Sequence, residues 1–275
     1  MCRRTYENVS GIDKGEVKME DKIFNDEESL LIHIRELAKN PNNIYRGYNK
    51  DNEIYPQLIR NNDLSGQEFE LLSEFEKYGL TYFSASNDIE FLSTAQHYGL
   101  PTRLLDFTLN PFIALFFAIY NSKEDTDSDE FYKIMYCDIT KCNLFNNEMN
   151  PTRYEIKKAQ SKDTHFLEST YTKKLSHAEG LKVRFKKFGK FNKLCVVKPN
   201  FTNTRITMQQ GLFVVPVELE KEKHKTIIET NTHRILIHKS LRQALLNYLN
   251  VLGFNTFRLM PDLPSICSAI KNKYC

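Results

Sequence analysis

Apolar residues fall into helical register soon after the first twenty positions. Leu30, Leu31, Ile34, Leu37 and Ala38 share one face, Asn25 and Glu28 are spaced as a capping box, and Pro41 is a stop. Residues 43–48 read as a short strand that carries Arg46 and Gly47. A second helix is expected over 67–78, with Phe69, Leu72 and Phe75 inward and Gly79 at its end. Asn87 and Glu90 cap a third, which runs to about Tyr98 before Gly99 and Pro101 close it. The stretch up to Asp106 then reads as a tight loop. Asn110 and Pro111 supply the cap and first turn of a helix over 112–120. That helix is apolar on nearly every side, so it belongs in a core.

The second half changes period. Residues 121–130 carry five carboxylates and read as a solvated loop. Strands are expected at about 131–139, 193–198, 212–218 and 233–238, with helices over about 240–251 and 263–272. Residues 141–192 show no clear pattern. The expected class is α+β, a helical first half packed on a mostly antiparallel, strand-rich second half. Residues 1–21 are polar and of mixed charge and read as a flexible lead, and residues 22–275 as a single domain.

Composition narrows this only a little. With 275 residues and 41% apolar positions, the chain can bury a core without metal or disulfide support. A net charge of +3 neither requires nor excludes nucleic acid. The six cysteines form no C-x-x-C pair, which points to reduced thiols and a cytoplasmic setting. The longest apolar run, 111–120, is about half of the ~20 residues a membrane span needs, so no membrane is expected.

Chemistry concentrates in residues 96–106. Gln96, His97, Thr102, Arg103 and Asp106 all fall within this short block. Arg103 offers a fork suited to phosphate or carboxylate, and a helix N-terminus follows near Asn110. A plainer account has Arg103 and Asp106, three apart, pinning the loop, and His97 serving as an ordinary helix-end histidine. Arg46 sits on its short strand before Gly47, a residue that permits close backbone approach by a ligand. The two arginines are expected to face one pocket together with His97, with Asp106 holding Arg103 or the loop.

Tyr45-Arg46-Gly47, the block Gln96 through Asp106, and Asn110-Pro111 with Ala114, Phe117 and Ala118 together resemble the FRG domain family. Softer matches are Arg205-Ile206 with Gln209, Gly211 and Phe213, and Gly253 with Pro261-Asp262-Leu263. The clear part spans 44–120 and the looser part reaches 264. Phe107 stands where the family usually has tryptophan or a bulky aliphatic residue. The resemblance implies a bacterial or phage-type intracellular protein. The Tyr-Arg-Gly strand is also similar to the anion-holding strand of ADP-ribosyltransferases. This likeness implies an ADP-ribosyltransferase-like fold and NAD as substrate. Arg46, His97 and Glu218 would then be catalytic. Tyr45, Gly47, Gln96, Thr102, Arg103 and Gln210 would bind ligand, and Asp106 and Asp262 would give structural support. Ser84 or Ser86 would imitate the serine motif of those transferases.

Two other readings use the same residues. One is a metal-free nuclease or phosphodiesterase with His97 as general base. The other is a non-catalytic module that binds a phosphorylated ligand or nucleic acid. Residues 182–193 alternate basic and aromatic side chains, which suits a nucleic-acid surface; alternatively Phe185, Phe188 and Phe191 face the core. No Gly-x-Gly-x-x-Gly fingerprint is present, so a Rossmann mode of dinucleotide binding is not expected.

Overall fold

A central eight-stranded sheet organises the computed structural model, which describes residues 21–120, 130–144, 176–188, 194–199, 204–216 and 218–274. Its strands are β1 (Lys22–Phe24), β2 (Asn43–Tyr48), β3 (Leu105–Thr108), β4 (Phe131–Asp138), β5 (Asn143–Leu144), β6 (Cys195–Val197), β7 (Gly211–Val215) and β8 (His233–His238). The spatial order is β1-β8-β4-β2-β3-β7-β6-β5. The β1/β8 and β5/β6 pairs are parallel and the others antiparallel. The helices are α1 (Glu27–Ala38), α2 (Gln57–Arg60), α3 (Glu68–Gly79), α4 (Asp88–His97), α5 (Pro111–Tyr120), α6 (His177–Phe188), α7 (Thr204–Met208), α8 (Lys221–Asn231), α9 (Arg242–Val251), α10 (Thr256–Leu259) and α11 (Leu263–Tyr274).

The α+β class is therefore right, and the sheet is mostly antiparallel as expected. The halves are not segregated, however. β1, β2 and β3 come from the first half of the chain, and α8 to α11 from the second. Residues 1–20 of the expected lead lie outside the described residues. Asp21 is described, and its carboxylate takes two hydrogen bonds from Arg234, at 2.8 and 2.6 Å.

Local chemistry explains the element boundaries. α1 is capped by Asp26, whose carboxylate accepts the Ser29 N–H at 2.8 Å, one position later than the expected Asn25 cap. α4 starts at Asn87, which accepts from Ile89 and Glu90 N–H groups, and Gly99 follows it with φ 92°. Asn110 accepts the Phe112 N–H at 2.9 Å and so begins α5.

α5 lies between the sheet and helices α1 and α9, which accounts for its apolar circumference. Its small residues meet β2 at Gly47. A Cβ on Gly47 would stand 1.8 Å from the Ala114 carbonyl oxygen and 2.7 Å from the Ala118 nitrogen. The glycine thus permits close approach by a helix, where the sequence suggested approach by a ligand.

A second apolar cluster joins α3, α4 and α6 to β6 and β7 through Phe91, Leu92, Leu181, Phe185 and Val215. A third, on Ile44, Phe107, Leu212 and Ile228, packs beneath α8. β2 and β3 are central neighbours, yet one register pair joins them, Tyr45 opposite Thr108. β2 pairs with β4 along its whole length, and β3 with β7 along its own. The sheet therefore has a seam in its middle. No described helix is long and apolar enough to cross a membrane.

Candidate functional site

The seam opens into a cavity of about 400 Å³. β2 contributes Tyr45, Arg46 and Gly47, and β3 contributes Asp106, Phe107 and Thr108. The turn after β2 and the short α2 bring Glu53 and Arg60. The end of α4 brings Ser93, Gln96 and His97. α5 supplies Ala114 and Phe117, and α7 supplies Arg205 and Ile206.

Arg46 sits where the β2/β3 ladder stops. Its Nη1 donates to the Asp106 carbonyl at 2.8 Å, across the seam, and its Nη2 donates to the Glu53 carbonyl at 3.2 Å. Both acceptors are neutral. Its Nε is buried with no hydrogen-bond partner among the described residues. The guanidinium is thus positioned by carbonyls, and no carboxylate among the described residues forms an ion pair with it. Arg60 stands near it, held by a bond from Nε to the Tyr55 carbonyl at 3.2 Å. Burial, and then the charge of Arg46, push the Arg60 pKa down, against the pull of Glu53 and Asp106. Two like charges kept close in a partly buried wall favour an anion between them.

Asp106 is held from the other side. Gln96 Nε2 donates to its Oδ1 at 2.8 Å. The Thr102 hydroxyl donates to Gln96 Oε1, and the Leu104 N–H donates to Thr102 Oγ1 at 3.2 Å. His97, the last residue of α4, faces the cavity one position further on. Burial pushes its pKa down; Arg205 adds to that, and Asp262 opposes it. Asp262 accepts the Ser265 N–H at 2.9 Å and thereby supports the start of α11. Hydrogen bonding from the Ser265 side chain and then its N–H, with weaker help from Arg205 and His97, holds its carboxyl below the usual range against the effect of burial.

Tyr45, Arg46, Gly47, Gln96 and His97 therefore gather at one cavity, with Thr102 just behind them. The Tyr45 hydroxyl itself turns back to the Leu37 carbonyl at 2.9 Å. Asp106 also lines the cavity, whereas the sequence made it a brace for Arg103 or the loop; its carboxylate is bonded by Gln96.

Arg103 is elsewhere. Its Nε and Nη2 grip the Glu68 carboxylate, the former at 2.6 Å, and Nη1 donates to the Pro216 carbonyl at 3.2 Å. Its guanidinium lies 3.6 Å from the Phe185 ring centroid. It lines a different cavity with Glu68 and Lys182. Residues 98–104 form the expected loop, with a bend at Arg103, and β3 begins only at Leu105. Leu104 and Asp106 line the seam cavity, whereas Arg103, at the bend before β3, lines the other one.

Glu218 does not line the cavity either. Its carboxylate accepts the N–H groups of Leu219 and Glu220 at 3.0 and 3.1 Å, just before α8. Gln210 occupies the turn between α7 and β7 with φ 47°, and its neighbour Gln209 reaches the cavity instead. Ser86 donates to Glu90, and neither Ser84 nor Ser86 lines the site. In the basic–aromatic stretch, Phe185 is buried beneath Arg103. The Phe188 side chain and residues 189–193 lie outside the described residues.

Sequence reasoning missed Arg60, which no motif surrounds. Arg205 entered only through family resemblance.

Residues 41–127 match the model of the FRG domain family. That span holds both central strands of the seam, the end of α4 and all of α5. No curated protein and no solved structure matches the chain.

Proposed function

We propose that this FRG-domain chain binds a phosphorylated nucleotide at the sheet seam, that the nucleotide is NAD, and that the chemistry is ADP-ribosyl transfer. The observation that carries the reading is Arg46, a positioned guanidinium whose contacts are carbonyls and whose Nε lacks a partner among the described residues. Arg60 beside it makes a pair suited to a pyrophosphate. The cavity volume of about 400 Å³ falls within the range of small-ligand sites. The depressed pKa of His97 keeps its imidazole neutral near pH 7, able to accept a ribose hydroxyl or a proton. Arg103, satisfied by Glu68, is replaced by Arg60 as the second phosphate-binding arginine.

Calorimetry with NAD on wild type and Arg46→Met tests the reading. Affinity should fall roughly ten- to a hundredfold in the variant, the worth of about 1.5–3 kcal/mol for a charge-assisted contact. Tight binding of an RNA oligomer or a mononucleotide, without NAD binding, would move the nuclease reading forward. A second reading, a module that binds the nucleotide without chemistry, gains from the position of Glu218 away from the cavity. Under it, His97→Ala would leave biological function intact.

A further inference from the structure

Building on the NAD reading, we infer that Asp106 is the catalytic carboxylate of the cavity, facing ribose C1′ as the bond to nicotinamide breaks. A chain of three hydrogen bonds orients this one side chain. Thr102 Oγ1 accepts the Leu104 N–H and donates its single hydrogen to Gln96 Oε1. That contact fixes which end of the Gln96 amide points where, and the NH₂ end is left facing Asp106 Oδ1. The relay runs one way, from backbone to carboxylate. Asp106 Oδ2 has no hydrogen-bond partner among the described residues, and the side chain is exposed on the cavity wall. Its backbone is fixed in β3 opposite Phe213 of β7, a rigid base for a reacting group.

The charge pattern then selects the ligand. Asp106 shares its wall with Arg46 and Arg60. A ligand bearing only phosphates would be drawn by the arginines and repelled by the carboxylate. NAD is anionic at its pyrophosphate and positive at the nicotinamide ribosyl centre, so it satisfies both. Glu53, the other carboxylate lining the cavity, has its Oε2 engaged by the Asn49 N–H at 3.1 Å.

In the step, the C1′–N bond breaks and its electron pair stays on nitrogen, releasing neutral nicotinamide. The ribosyl group carries the positive charge, which Asp106 Oδ2 stabilises. With water as the ADP-ribosyl acceptor, its oxygen then bonds to C1′ and its proton leaves to solvent, so NAD and water give ADP-ribose, nicotinamide and one proton. Gln96 and Thr102 are positioning residues.

The test measures NAD affinity by calorimetry and nicotinamide release by chromatography on wild type, Asp106→Asn and Gln96→Leu. The asparagine keeps an acceptor for Gln96 and removes the charge. Its kcat should fall about a hundredfold or more, with NAD affinity within about threefold of wild type. Gln96→Leu should lower kcat roughly tenfold or more with the same retained affinity. Wild-type turnover in Asp106→Asn would overturn the inference and leave NAD binding in place. So would weaker NAD binding at unchanged kcat, or NAD binding by wild type without nicotinamide release. Failure of wild type to bind NAD would overturn both readings. If Asp106→Asn does not fold, unchanged kcat in Gln96→Leu overturns the inference.

Discussion

Arg46 and Arg103 stand in the two most distinctive blocks of the sequence, and their surroundings are opposites. Arg103 is buried, and its fork closes on the Glu68 carboxylate above the Phe185 ring. Its charge is cancelled locally. Arg46 is half-buried and its fork is divided between two backbone carbonyls. Those bonds fix its direction and leave its charge for something else. An arginine closed on a carboxylate holds a fold together, whereas one steered by carbonyls can serve a ligand.

The sharpest break of this contrast comes from Glu68→Ala. It strips the partner from a buried guanidinium, which should cost about 3–5 kcal/mol in urea unfolding. A loss below about 1 kcal/mol would mean that the charge of Arg103 is compensated elsewhere. Next, Gly47→Ala drives a methyl group into the Ala114 carbonyl and must push α5 off β2. We expect a loss near the top of the usual 1–3 kcal/mol for overpacking, with weakened ligand binding because Arg46 is the adjacent residue. Arg46→Met should behave unlike either. Two bonds to neutral carbonyls are worth about 1 kcal/mol each, and relief of the repulsion with Arg60 offsets part of that. Its melting point should therefore stay close to wild type while the affinity for NAD drops.

The smallest effect concerns pH. His224 is buried and its Nε2 contacts the Ile54 carbonyl at 2.8 Å, behind the turn that offers Glu53 to Arg46. Burial pushes its pKa below the ordinary 6.5, against the carbonyls of Ile54 and Glu218. Above that value the histidine is neutral in both folded and unfolded chain. As pH falls through it, the unfolded chain takes a proton that the folded one resists, so stability declines. The slope should be under about 1.4 kcal/mol per pH unit for this group, and His224→Gln should flatten it.

The sequence made some of this visible and hid the rest for identifiable reasons. β2, α4 and α5 could be read because caps, a glycine stop and an unbroken apolar run mark them. β3 reads as a continuation of the loop because Pro101 and Thr102 precede it and it is only four residues long. Arg103 sits at a bend before this strand, and its spacing from Asp106 does not reveal that Glu68, 35 positions away, takes its charge. α8 escaped because Ile227 and Ile228 are its only strongly apolar positions. Arg60 joins the site through a single short turn of helix after Pro56, and nothing in its neighbours signals a ligand.

One register pair between β2 and β3 also has a mechanical meaning. The sheet is two ribbons, β1-β8-β4-β2 and β3-β7-β6-β5, basted together by one stitch and by the reach of Arg46 to the Asp106 carbonyl. Amides from Arg46 to Tyr48 and from Leu105 to Phe107 that point into the gap lack a ladder partner across it. They should exchange with deuterium faster than those facing β4 and β7. A ligand gripping Arg46 on one ribbon and Asp106 on the other becomes the missing stitching. Its arrival should slow exchange along the seam first, ahead of any change at the outer strands.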